Sequence, residues 1–226
     1  MKATPKAILS SFESLKQRLA ECNLLRDWNG SVIERSERGR QRITWATTGT
    51  RPELSDISTS NIKEYLLFLE GRHFQFMLTD GSLIQMSYDV QTTRNEIKTS
   101  RLVWYPCPVV FSPEELEFAT INELVLTSPV ETLSMQAPLR FDYSPEQEAE
   151  NHSCTHLHLG TENFRMPVQR ALEPSRFMRL IIRTAYPKIW SEFAHFREAE
   201  DWGSADRLTD DDKLFGSLSW HLPIAL

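Results

Sequence analysis

An Asp-Gly turn between two β-type runs constrains this chain more than any other feature. Phe74-Gln-Phe-Met-Leu78 and Leu83-Ile-Gln-Met-Ser-Tyr88 flank Thr79-Asp80-Gly81-Ser82. Glycine after aspartate supplies the backbone reversal that joins neighbouring antiparallel strands. A chain built around such a hairpin must find further strands to cover its edges. Segments of matching character lie at Ser31–Arg35 and 42–45, around a turn at 37–40, and at 95–105, which Pro106 and Pro108 end. Proline has no amide hydrogen for a central ladder. Three more segments, at 123–127, Leu139–Tyr143 and Thr155–Leu159, read as strands, whereas 61–69 fits either a short helix or a strand.

Helical periodicity marks both ends. From 6 to 25, Ile8, Phe12, Leu15, Leu19 and Cys22 recur at three- and four-residue steps, which makes one apolar stripe. Ser112-Pro113-Glu114-Glu115 is a helix-start pattern. Near the other end, Phe177, Leu180, Ile181, Ala185, Ile189 and Phe193 form a second stripe, broken or kinked at Pro187. These segments predict an α+β fold. A mostly antiparallel sheet over about 31–168 carries an N-terminal helix and a C-terminal helical region over about 174–200. Without an internal repeat or linker, the reading is one domain over 1–226, with an apolar tail at 213–226.

Composition narrows the function classes. The apolar share of 40% and charged share of 25% are ordinary for a globular protein. Apolar runs fall far short of the roughly 20 residues that span a bilayer, so no membrane role is expected. Three widely spaced cysteines, Cys22, Cys107 and Cys154, form neither a disulfide framework nor a zinc knuckle. Such a chain is expected in the cytoplasm. A net charge of −6 argues against indiscriminate coating of nucleic acid. The charge is uneven, however: six arginines lie between Arg26 and Arg51, and acidic residues gather at 198–201 and 210–212.

Chemistry concentrates at His152-Ser-Cys-Thr-His156-Leu-His158, which holds three of the six histidines. On a strand, residues two apart share a face, so His156 and His158 project together. Imidazole transfers protons near neutral pH and is the commonest metal ligand. Cys154 beside them reads more readily as a buried structural cysteine than as a nucleophile.

The chain resembles an uncharacterised bacterial family, DUF2290, through ordered segments over roughly 15–190. They are Asp80-Gly-Ser-Leu-Ile-Gln-Met-Ser-Tyr88, Arg101-Leu-Val-Trp-Tyr-Pro-Cys-Pro108, Arg140-Phe-Asp142-Tyr143, His156-Leu-His-Leu-Gly160 and Arg165-Met-Pro167, followed by a helix over 177–186. It departs from the family pattern at Ser153, where proline would follow the first histidine. The resemblance supplies positions and no mechanism: Asp142, His156, His158 and Arg165, around two strands and the next turn. Asp142 is then expected opposite a histidine, and Arg165 on the following strand.

Three readings stand on these residues. In the first, a nuclease-like effector of a toxin or mobile-element defence cassette acts on RNA. His156 and His158 form the acid–base pair, Asp142 orients them and Arg165 stabilises the phosphorane. Arg176, Arg179 and Arg183, spaced along one helix flank, would bind substrate, and Trp28, Trp45 and Trp104 are candidates for stacking on bases. In the second, a hydrolase uses His-x-His with Asp142 or His152 on a metal; the sequence names no cofactor. In the third, the histidines are structural, hydrogen-bonded within the sheet, and a non-catalytic subunit docks a protein partner through the 213–226 tail. Catalysis requires Asp142, His156, His158 and Arg165 to converge in a concavity that solvent reaches.

Overall fold

The computed structural model describes residues 1–36, 39–47, 62–134, 136–148, 153–160, 164–197 and 202–203. The elements run α1 (Pro5–Glu21), β1 (Leu25–Trp28), β2 (Ser31–Arg35), β3 (Arg40–Trp45), α2 (Ile62–Glu70), β4 (Phe76–Leu78), β5 (Leu83–Gln91) and β6 (Glu96–Tyr105). Then follow α3 (Glu115–Phe118), α4 (Ile121–Thr127), β7 (Leu139–Tyr143), β8 (Thr155–Leu159), β9 (Arg165–Pro167), α5 (Pro174–Ala185) and α6 (Pro187–Glu192). The acidic stretch at 198–201, the 213–226 tail and His152 lie outside the described residues.

The fold is α+β. Among the described residues, nine strands form one sheet in the order β1-β4-β5-β6-β7-β8-β9, and β3 also pairs with β5, carrying β2 outside it. All these pairings are antiparallel. The long β5–β6 ladder runs from Leu83↔Tyr105 to Gln91↔Glu96 and forms the spine.

The two faces of the spine differ. Ile84, Met86, Tyr88 and Leu102, with Phe141 and Leu157 on later strands, enter the main core. Ile8, Phe12, Leu15 and Leu19 of α1 and Phe177, Met178, Ile181 and Ile182 of α5 close that core from above. Thr4 caps α1, its hydroxyl accepting from the Ala7 amide at 3.1 Å, with Pro5 in the first turn. The opposite face is divided. Leu83, Val103 and Tyr105 at one end lie under Tyr65 and Phe68 of α2 and Ile121 and Val125 of α4. The other end of that face is polar.

One expected strand is a helix. Residues 123–127 belong to α4, because Thr120 and Glu123 form a reciprocal capping box. Ile121 and Val125, four apart, then bury together. Leu124-Val-Leu-Thr127 has strand-like composition, and the cap overrides it. Helix α1 ends at Glu21 instead of 25, and strand β1 takes Leu25 together with the first residues of the arginine-rich segment, while 62–70 is helix. Pro187 separates α5 from α6. Among the described residues, no helix is long and apolar enough to cross a membrane.

The Asp-Gly turn closes as the sequence suggests. The Ser82 amide donates to Asp80 Oδ1 at 2.9 Å, and Gly81 adopts φ +82°. A Cβ there would stand 3.0 Å from Cys107 Sγ and 3.2 Å from Tyr65 Oη, whose hydroxyl donates to the Gly81 carbonyl at 2.7 Å. Gly81→Ala should therefore destabilise the fold by about 1–3 kcal/mol through backbone strain and overpacking. Urea unfolding measures this, and a change near zero would refute the packing described.

Candidate functional site

The polar end of the divided face is built by register. Arg101, Asp142, His156 and Pro167 lie opposite one another across β6, β7, β8 and β9, and Val103, Arg140, His158 and Arg165 form the next row. Directly opposed residues share a face. Leu102, Phe141 and Leu157, between these rows in sequence, project into the core on the other side.

Asp142 is the hub. Its Oδ1 accepts from Arg101 Nε at 2.9 Å and its Oδ2 from Arg101 Nη2 at 3.3 Å. Arg140 Nε stands 3.1 Å from Oδ2. His158 Nε2 is 3.6 Å and His156 Nε2 4.0 Å from the same oxygen. The imidazoles meet edge to face with centroids 4.7 Å apart. His156 Nδ1 lies 2.8 Å from the Ser153 carbonyl, and donating to it leaves the Nε2 lone pair directed at the cluster. Burial alone would raise the Asp142 pKa. The Arg101 and Arg140 charges and the Arg101 hydrogen bonds outweigh it, and hold the carboxyl below its usual range.

Asp142, His156 and His158 thus converge, but solvent does not reach the rings as expected: each histidine is only 3% exposed. Their strand lies inside the sheet, with β7 on one side and β9 on the other. Arg165 shares the face, directly opposite His158, and remains exposed at the sheet edge.

Other anticipated residues stand elsewhere. Helix α5 packs on the apolar face, where the Phe177 ring lies 6.0 Å from that of Phe141. Arg176, Arg179 and Arg183 are therefore separated from the cluster by the sheet. Arg176 pairs with Glu173 at 2.9 Å. Arg179 and Arg183 lie over the Trp190 ring at 5.6 and 5.9 Å. Trp45 is buried, Trp104 packs against the main core, and Trp28 stands beside Lys16, so none stacks at the polar end. Cys154 is fully buried.

Sequence reasoning missed Arg101 and Arg140. Arg140 was within reach, because it stands two residues from Asp142, the spacing that paired the histidines. Arg101 becomes a partner only through the β6–β7 register. The same face also carries Arg42, whose Nε and Nη2 donate to Asp89 at 3.2 and 3.1 Å, with the Thr99 hydroxyl donating to Asp89 at 3.0 Å.

Asp142→Asn removes the charge from a buried hub and should cost about 3–5 kcal/mol in urea unfolding, since two guanidiniums lose their counter-ion. The folded-state pKa of Asp142 lies below the unfolded one. Its contribution is therefore present above roughly pH 4 and lost as pH falls through the folded value. Wild type should show an acid loss of stability that the variant largely lacks. Equal acid sensitivity in both would remove Asp142 as its source.

No curated protein and no solved structure matches the chain. A family model described as "Uncharacterized conserved protein (DUF2290)" matches residues 24–220, starting later and running further than the span of roughly 15–190 over which the resemblance is drawn. The chain belongs to the DUF2290 family.

Proposed function

We propose that the polar end of the sheet binds the phosphate backbone of single-stranded RNA. The observation that carries this reading is the charge of the face. Arg42, Arg101, Arg140 and Arg165, from four strands, stand against three carboxylates: Asp89 and Asp142, each already held by arginine, and Glu34, directly opposite Arg42. A local excess of guanidinium on a chain of net charge −6 focuses an anion onto one patch. Arginine suits that role because its planar fork matches phosphate oxygens.

In this reading Asp142 and the two histidines orient the guanidiniums, and Arg165 makes first contact from the rim. Proton transfer from a 2′-hydroxyl needs an imidazole nitrogen within hydrogen-bond reach of it, which covered rings do not offer. Binding without cleavage is therefore the function put forward.

Binding of labelled RNA should fall steeply with salt. Each phosphate contact contributes about −0.7 to the slope of log K against log salt concentration, so Arg165→Ala should flatten it by about that amount. The measurement is fluorescence anisotropy in EDTA across a salt series. Salt-insensitive binding, no binding, or an unchanged slope in the variant would refute the proposal. Cleavage of the same RNA, lost in His158→Ala, would instead restore the acid–base reading.

A further inference from the structure

We infer that Asp142, His156 and His158 form a binding site for a single divalent transition-metal ion, with zinc the best match. One carboxylate oxygen of Asp142 and one nitrogen from each imidazole lie within 4.8 Å of one another. Four-coordinate zinc, with bonds near 2.0–2.1 Å, places its donors about 3.3 Å apart. The 3.6 and 4.0 Å separations from Oδ2 to the two Nε2 atoms need sub-ångström closure, and the two imidazole nitrogens, within 4.8 Å of each other, need up to about 1.5 Å, by side-chain rotation.

Three further features favour an ion here. Two imidazoles and one carboxylate are a donor set that zinc accepts. The hydrogen bond from His156 Nδ1 to the Ser153 carbonyl is the outer contact that fixes the tautomer of a metal-ligating histidine. Finally, the donors sit on two paired strands, with Asp142 directly opposite His156. A ladder holds them with little freedom to lose on binding.

The neighbouring arginines limit the affinity. Arg140 Nε and Arg101 Nη2 contact the same Oδ2, at 3.1 and 3.3 Å. An ion must share or displace these contacts while Arg101 keeps Oδ1. The site should accordingly bind more weakly than one built from thiolates. This inference is independent of RNA binding, and either can fail without the other.

The test titrates chelator-stripped full-length protein with zinc by calorimetry and with cobalt by visible absorption. One equivalent should bind, cobalt should develop the strong absorption of a four-coordinate site, and zinc should raise the melting temperature. His158→Gln, checked for folding by circular dichroism, should weaken zinc by more than about tenfold. His195→Gln, on a distant segment, should leave it unchanged. If His158→Gln does not fold, imidazole nitrogen shifts in wild type identify the ligands directly: His156 and His158 should move together with added zinc. Absence of saturable binding, unchanged affinity in folded His158→Gln, or shifts confined to other histidines would overturn the inference.

Discussion

The antiparallel register of β6, β7 and β8 is the constraint on which the rest of the molecule depends. It sets Leu102, Phe141 and Leu157 side by side on one face and Arg101, Asp142 and His156 side by side on the other. A slip of one residue in any strand would exchange the two sets, driving arginine into the core and leucine onto the polar face. The apolar row and the polar cluster therefore enforce the same alignment.

Within that alignment, electrostatics decides the character of the polar end. A carboxylate as buried as Asp142 is costly unless it is paired and hydrogen-bonded. Two guanidiniums meet that requirement, one through two hydrogen bonds. The histidines gather on the oxygen that the arginines share. The cluster is consequently dense and closed, while its surplus positive charge reaches solvent at Arg165 and in part at Arg101 and Arg42. Asp89 repeats the arrangement on a smaller scale with Arg42 and Thr99.

Local pattern made much of this legible. Alternation placed the histidine strand at Thr155–Leu159 with the bounds that the structure has, and it put both imidazoles on one face. The Asp-Gly turn located the hairpin at the spine, and Pro187 marked the break after α5. What stayed hidden was non-local. Nothing near Arg101 in sequence says that Asp142 will be its neighbour, since forty residues and two helices intervene. Nor does helical spacing reveal that Arg176, Arg179 and Arg183 lie across the sheet from the histidines. Burial of the rings stayed hidden as well, because periodicity within one strand reports which face a side chain takes and not what covers that face. At 123–127, β-like composition misled because the capping box from Thr120 to Glu123 outweighed it.

The packing of α1 has a consequence for how the chain is made. Its buried residues, Ile8 to Leu19, rest on strands and on α5, and Arg18 reaches the His195 carbonyl at 2.9 Å. A ribosome adds on the order of 5–20 residues each second. Once made, α1 thus waits roughly ten seconds or more before α5 exists to cover it. Through that interval its greasy side needs a temporary escort, from the nascent hairpins or from a chaperone.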